Sequence, residues 1–152
     1  MPTGHLALVL HAHLPFVRHP EHEDFLEEDW FFEAITESYI PLLAMMERLV
    51  ADEVPFRLTM TVTATLCAML QDQLLRERYV RYLDRSVALA TREIERNRDD
   101  ERLRELSAFY YNHFQLSRQH FFRWNGDLLG VFRRLRDEGC LERIASAATH
   151  GL

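Results

Sequence analysis

Two histidines stand two positions apart at the end of an apolar stretch near the start of the chain. The segment 9–16 reads VLHAHLPF, so that His11 and His13 follow apolar residues and precede Pro15. Side chains at positions i and i+2 of a strand point to the same face, and polar residues at the carboxyl ends of parallel strands face ligand sites. Imidazole donates or accepts hydrogen bonds, ligates metals and carries protons. The pair therefore predicts a binding site, with two hydrogen-bonded structural histidines as the alternative.

A third histidine is expected in the same setting. The segment 148–152 reads ATHGL and follows a strand candidate, which would place His150 at another strand end. Three imidazoles at two strand ends of one sheet favour a shared site over separate structural roles. Zinc accepts sets of three histidine ligands, and imidazoles also hydrogen-bond the hydroxyls of sugars. The residues themselves therefore leave a metal site and a carbohydrate site open.

Three segments have the character of β-strands. Residues 5–12 form a continuous apolar run, which is typical of a strand buried on both faces in a parallel sheet. Residues 54–62 alternate in part and are rich in β-branched and aromatic side chains. Residues 141–148 are the third candidate. Between the first strand and the first helix, residues 17–29 are polar and acidic, which predicts a solvated loop.

Helical spacing fills most of the remaining chain. Apolar residues recur every three or four positions across 30–51, where Pro41 predicts a kink or a break. Almost all of 64–138 is predicted to be helical, with a break near 97–100 and Gly139 as a C-cap candidate. The order strand, helix, strand, long helical stretch, strand predicts an α/β fold of parallel strands with right-handed crossovers.

Composition restricts the class of protein. The chain has 152 residues, of which 47% are hydrophobic, and this favours one globular domain over disorder. A net charge of −6 without a basic cluster speaks against nucleic acid or an anionic membrane as a partner. Cys67 and Cys140 lack metal-like spacing and are predicted to be free thiols. The first residues lack the features of a signal peptide or a membrane span, so a cytoplasmic location is predicted.

The sequence stops directly after the third strand candidate. Three strands do not surround a core, and no helix follows to cover the last one. We therefore expect residues 1–152 to be part of a larger barrel or sheet domain. The alternative is a complete small α/β protein with a helical hairpin insert.

Several segments resemble the beginning of glycoside hydrolase family 57, in particular its 1,4-α-glucan branching enzymes. The resemblance covers essentially the whole chain in the same order, and its specific parts are the first histidine motif and the THG segment. The helical stretch between them is generic. The segments are VLHAHLPFVRHPE, WFFEAITESYIPLL, TMTVTATL and ASAATHGL.

The resemblance implies both a fold and an activity. The fold would be the N-terminal part of an incomplete (β/α)7 barrel, with a long helical insert between strands 2 and 3. The activity would be retaining transfer from α-1,4 to α-1,6 linkages of an α-glucan such as amylose or a glycogen-like polymer. The family requires no metal or organic cofactor, so the resemblance favours a carbohydrate site over a metal site.

The resemblance also implies roles for individual residues. His11, His13 and His150 would line the sugar-binding cleft. Glu33 matches a position of the family's helix motif and would contact the site, although a glutamate on a helix is more often solvated. Trp30 would stack on a sugar ring, although packing is its more common role.

The catalytic carboxylates are expected outside this sequence. A retaining glycosidase needs two carboxyl groups about 5–5.5 Å apart, and in the family the nucleophilic Glu and the acid/base Asp come from later strands. No residue of 1–152 is therefore assigned as catalytic, and this piece is predicted to be inactive. One departure from the family pattern is Ala64, which follows Thr63 where the family usually has proline.

Other functions stay open from the sequence. Related activities of the same family are α-amylase and 4-α-glucanotransferase. A stand-alone module that binds sugar or protein is a non-enzymatic alternative. A metal-dependent hydrolase similar to polysaccharide deacetylases also uses histidines at strand ends, but it needs an aspartate beside them.

Overall fold

The computed structural model describes residue 4 and residues 6–147. Their strands and helices follow the predicted alternation, with short helical elements after the first two strands and a long helical stretch before the third. In chain order they are β1 (Val9–Ala12), α1 (Leu26–Ala34), a π-helix (Ile35–Tyr39), α2 (Ile40–Ala51), β2 (Leu58–Val62), α3 (Ala64–Gln71), α4 (Gln73–Arg96), α5 (Glu101–Arg123), α6 (Leu128–Asp137) and β3 (Leu141–Arg143).

The strands form one parallel sheet in the order β1-β2-β3. His11 lies opposite Thr61, and Leu58 lies opposite Leu141. This confirms the predicted α/β class with parallel strands. The strands are shorter than predicted: β1 begins at Val9, and β3 is assigned to Leu141–Arg143. The last predicted position of β3, residue 148, lies outside the described residues.

The prediction that the first strand is buried on both faces is wrong. Ala12 is buried and Leu10 packs partly against the core, whereas the side chain of Val9 is 59% exposed. Because side chains alternate along a strand, Leu10 and Ala12 share the face that meets the helices. Val9 and His11 share the other face, which is open over the residues that the structure describes.

The core lies between the inner face of the sheet and the helices. Met60 from the sheet packs in one cluster with residues from every helix of the first half and from α4, α5 and α6. Its fully buried side chains include Leu43, Met46, Leu66, Met69, Leu75, Tyr79, Leu83, Leu128 and Leu135.

Three aspartates begin the helices of the long helical stretch. Asp72, Asp100 and Asp127 are the N-caps of α4, α5 and α6, and each carboxylate accepts a hydrogen bond from a backbone N–H three residues later, at 2.9–3.1 Å. The predicted break near 97–100 is confirmed, because α4 ends at Arg96 and α5 begins at Glu101.

The C-cap predicted at Gly139 is also confirmed. Gly139 has φ +79° and donates its N–H to the Arg136 carbonyl oxygen, while Cys140 donates to the Leu135 carbonyl oxygen. This pair of bonds is a Schellman motif, which satisfies carbonyl groups at the end of α6 and turns the chain into β3.

The break predicted at Pro41 takes the form of a π-helix. Pro41 has no N–H to donate to the preceding turn, and the turn before it is widened, so that Ile40 donates its N–H to the Ile35 carbonyl oxygen. The helix itself begins at Leu26, four residues before the predicted start at Trp30. Acidic residues in this first turn suit a helix N-terminus, since the helix dipole is positive there.

A partly buried carboxylate of α2 joins this helix to the long helical stretch. Glu47 accepts hydrogen bonds from the indole Nε1 of Trp124 at 3.1 and 3.2 Å and forms ion pairs with Arg123 and Arg134. These contacts orient α5 and α6 relative to α2.

Candidate functional site

His11 pairs with a threonine of the neighbouring strand β2, and His13 pairs with the threonine that directly follows β2. The Nδ1 atom of His11 is hydrogen-bonded to the hydroxyl of Thr61, and the Nδ1 atom of His13 lies 3.2 Å from the Thr63 hydroxyl. The two imidazole rings are stacked, with centroids 5.9 Å apart and an angle of 15° between their planes. The structure thus brings the two predicted histidines together at the carboxyl end of β1, beside the carboxyl end of the parallel strand β2.

The second pair continues into a chain of hydrogen bonds. The Thr63 hydroxyl lies 3.1 Å from the Thr65 hydroxyl, and the Thr65 hydroxyl donates to the Leu14 carbonyl oxygen at 3.2 Å. These contacts join the segment that leaves β1 to the first turn of α3. The imidazole of His13 is therefore held by a network that includes both neighbouring strands.

The threonines of this site are buried, whereas the histidines are partly or fully accessible to solvent. Thr61 is 7% exposed and Thr63 is 2% exposed, whereas His11 is exposed and His13 is half-buried. A carboxylate also lies on this face of the sheet, since Glu142 of β3 accepts a hydrogen bond from Thr59 at 3.1 Å. The face thus offers imidazole, hydroxyl and carboxylate groups for hydrogen bonding.

The loop that leaves β1 is fixed by buried charges. Arg78 of α4 contacts both carboxylate oxygens of Glu28, at 2.6 and 2.7 Å, and donates to the carbonyl oxygens of His19 and His22. Glu28 also accepts the backbone N–H of His19 at 3.0 Å. An ion pair between Arg18 and Asp72 at 2.6 Å holds the same loop.

This corrects the prediction that the acidic run 17–29 is entirely a solvated loop. Glu28 is 1% exposed, because an arginine of similar burial neutralises it. Most other carboxylates of the run are exposed, as predicted.

Trp30 and Glu33 lie on α1. The indole of Trp30 is 52% exposed and Glu33 is exposed. Among the described residues, no hydrogen bond, ion pair or ring contact joins either of them to His11 or His13. Glu33 lies close enough to Tyr82 to contribute to the raised pKa of that phenol, which burial, the main cause, brings to about 12. Their proposed contacts with a sugar stay predictions, and His150 lies outside the described residues.

A groove lies beside α1, on the side of α4. It has a volume of about 680 Å³, and its lining includes Phe25, Asp29, Tyr82 and Arg85. The sequence did not indicate this groove. It offers aromatic and charged groups, but the histidines do not line it.

The described residues contain neither a candidate metal site nor a candidate membrane-spanning helix. Over residues 6–147, no three His, Cys, Asp or Glu side chains are grouped so that they could hold a metal ion. Helices long and apolar enough to cross a membrane do not occur in the same part of the chain. Cys67 and Cys140 are free thiols, as predicted, and burial raises the pKa of Cys67.

Sequence reasoning missed the threonines. Thr59, Thr61 and Thr63 alternate along the segment LTMTVTAT, and this period of two places all of them on one face of the strand. The alternation was a usable signal, because hydroxyls on the face opposite Met60 have to meet polar partners.

Residues 7–152 of the chain match glycosyl hydrolase family 57. The 1,4-alpha-glucan branching enzyme TK1436 of Thermococcus kodakarensis is 37% identical over 148 residues, which are 97% of this chain and 21% of that protein. The chain therefore spans about a fifth of the length of this relative.

Similar solved structures include a branching enzyme and an alpha-amylase. The branching enzyme of Pyrococcus horikoshii is 40% identical with a TM-score of 0.90, over 97% of this chain and 28% of that one. The alpha-amylase AmyC of Thermotoga maritima is 42% identical with a TM-score of 0.83, over 91% of this chain and 26% of that one. Because the family match covers nearly the whole chain and its fold agrees, the chain belongs to glycosyl hydrolase family 57.

Proposed function

We propose that this chain forms the N-terminal part of the catalytic barrel of a retaining enzyme that acts on α-glucans. The three parallel strands in the order β1-β2-β3 would be consecutive strands of a (β/α)7 barrel. The helices α3 to α6 would include the long insert between strands 2 and 3. The exposed face with His11 and Glu142 would then point into the barrel.

The paired imidazoles and threonines carry this proposal. His11 and His13 stand at the carboxyl end of β1, beside the carboxyl end of the parallel strand β2 with their threonine partners, and barrel enzymes bind substrate at such strand ends. Their stacked rings and the adjacent hydroxyls suit the hydroxyl groups of a glucosyl unit. His150 would complete the cleft, and Trp30 and Glu33 would contact the sugar farther along it. Binding in a fixed orientation next to the scissile bond lowers the activation barrier by positioning the substrate.

Branching is the activity that we favour. Two of the similar proteins are branching enzymes, and transfer from an α-1,4 to an α-1,6 linkage is the corresponding reaction. Hydrolysis is the second candidate, because a similar solved structure is an alpha-amylase. The test uses amylose treated with the whole enzyme to which this chain would belong. New anomeric proton signals of α-1,6 linkages would show branching, whereas a rise in reducing ends without such signals would show hydrolysis.

The catalytic carboxylates would come from residues outside this sequence. We therefore expect residues 1–152 to bind α-glucan without cleaving it. The absorbance of iodine-stained amylose should stay constant in the presence of this protein. A fall in that absorbance would contradict the assignment of the two carboxylates to other parts of the enzyme.

Isothermal titration with maltoheptaose tests the binding site. His11→Ala and His13→Ala each remove hydrogen bonds worth about 0.5–1.5 kcal/mol, which corresponds to an affinity lower by about 2- to 12-fold. His22→Ala is the matched control, because His22 is an exposed histidine whose ring stacks on Phe25 in the loop. Equal affinities for wild type and both site variants would contradict the proposal.

A further inference from the structure

Thr63 occupies the N-cap of α3 without capping it. An N-cap threonine normally accepts a hydrogen bond from a backbone N–H of the first turn, but the Thr63 side chain makes no such bond. Its hydroxyl instead contacts His13 Nδ1 at 3.2 Å and the Thr65 hydroxyl at 3.1 Å. Thr63 is 2% exposed, and its buried hydroxyl thus bonds to an imidazole and a second hydroxyl where an N-cap threonine would normally bond to the helix backbone.

Each hydroxyl in this series of contacts has one proton, and this determines which group donates in each hydrogen bond. The Leu14 carbonyl oxygen can only accept, so the Thr65 hydroxyl uses its one proton there. Thr65 must then accept from Thr63, which uses the one proton of the Thr63 hydroxyl. Thr63 can consequently only accept from His13. One arrangement alone makes all three contacts hydrogen bonds, and in it the proton of His13 is on Nδ1.

We propose that Thr63 and Thr65 are positioning residues that hold neutral His13 as the Nδ1–H tautomer. Nε2 is then the accepting nitrogen of the ring. The tautomer adds a rule for the substrate, and this rule rests on the proposed function: a sugar hydroxyl that meets Nε2 of neutral His13 has to donate its proton. The two threonines would act only through His13.

His11 is different. Its partner Thr61 makes no hydrogen bond to a second side-chain or carbonyl acceptor among the described residues, so the direction of the bond between them is not set by a chain of acceptors. The two stacked imidazoles thus differ in how their protons are fixed, and Thr61 provides a matched control for Thr65.

Imidazole ¹⁵N NMR of the protein tests the assignment without any ligand. At about pH 8.5, two units above the ordinary pKa of histidine, we expect the His13 proton on Nδ1. Thr65→Val removes the acceptor for the Thr63 proton, which can then turn to Nδ1, so the fraction of His13 with the proton on Nε2 should rise. Thr65→Ser keeps the hydroxyl and should retain the wild-type tautomer. Thr61→Val should leave His13 unchanged.

Two results would overturn the inference: a wild-type His13 with its proton on Nε2, or a folded Thr65→Val variant with an unchanged tautomer. If Thr65→Val does not fold, the wild-type spectrum decides. Titration with maltoheptaose keeps this inference separate from the proposed function. A His13 signal that reports Nδ1–H but does not move with the sugar would contradict sugar binding and leave the tautomer assignment standing.

Discussion

Replacement of Arg78 by methionine would remove the cation that neutralises a buried carboxylate. Arg78 and Glu28 have side chains that are 6% and 2% exposed, and their contacts connect α4 with the loop that follows the histidines. The variant leaves Glu28 charged in a site with little access to water. It also leaves the His19 and His22 carbonyl oxygens without this donor.

The expected cost is large. Removal of one partner of a buried ion pair costs about 3–5 kcal/mol, a substantial part of a total stability of about 5–15 kcal/mol. For a chain of this length, a loss of about 4 kcal/mol lowers Tm by roughly 8–16 °C. The double variant Glu28→Leu/Arg78→Met removes both charges and should recover most of the loss, since no buried charge is left uncompensated.

Urea denaturation of the protein measures these free energies. Arg85→Ala is the matched control, because the pair between Arg85 and Asp24 lies on the same helix and loop but is more than half exposed. Exposed pairs contribute about 0–1 kcal/mol. If Arg78→Met is no more destabilising than Arg85→Ala, or if the double variant is as unstable as Arg78→Met, Glu28 is not a buried charge that depends on Arg78.

Three further predictions concern backbone strain and ionisation. Gly126 and Gly139 both have positive φ, but a Cβ on Gly126 would lie 3.1 Å from the Phe121 ring, whereas a Cβ on Gly139 meets open space. Alanine at either position should cost about 1–2 kcal/mol of backbone strain. At Gly126 the loss should be larger, because the added Cβ also crowds the Phe121 ring. Urea denaturation measures both losses, and equal values would contradict the packing around Phe121. Burial raises the pKa of Tyr82 to about 12, so the folded protein favours the neutral phenol. The contribution of Tyr82 to the free energy of unfolding should therefore be constant below pH 10 and fall between pH 10 and 12. An ordinary pKa for Tyr82 in an ultraviolet titration would be evidence against its burial. Burial lowers the pKa of His120, so its contribution should be lost as the pH falls from about 6.5 through that lowered value, and ¹H NMR titration of the imidazole checks the direction.

The sequence predicted the parallel sheet and the helix boundaries that have strong local signals. The break near 97–100 coincides with the N-cap Asp100, and the end of α6 coincides with Gly139, because both depend on short-range chemistry. The parallel direction of the strands was also predictable from the alternation of elements, whereas the central place of β2 was not, because the same alternation fits other strand orders. The early start of the first helix at Leu26 was not, because its acidic first turn looked like a loop.

The sequence did not show which side chains that are far apart along the chain bond to each other in the fold. Glu28 is separated by 50 residues from Arg78, and the same separation divides His13 from Thr63. Charge patterns along the chain show that a carboxylate exists but not that an arginine will neutralise it after folding. The histidines were predicted to share a face from their own spacing, whereas their threonine partners depend on the register between two strands.

The most direct measurement is a crystal structure of the protein with maltoheptaose. We expect a glucosyl unit at the carboxyl ends of β1 and β2, with a hydroxyl within about 2.6–3.2 Å of a ring nitrogen of His11 or His13. A sugar bound only in the groove beside Tyr82, with no contact to either histidine, would contradict the assignment of the strand ends as the glucan site.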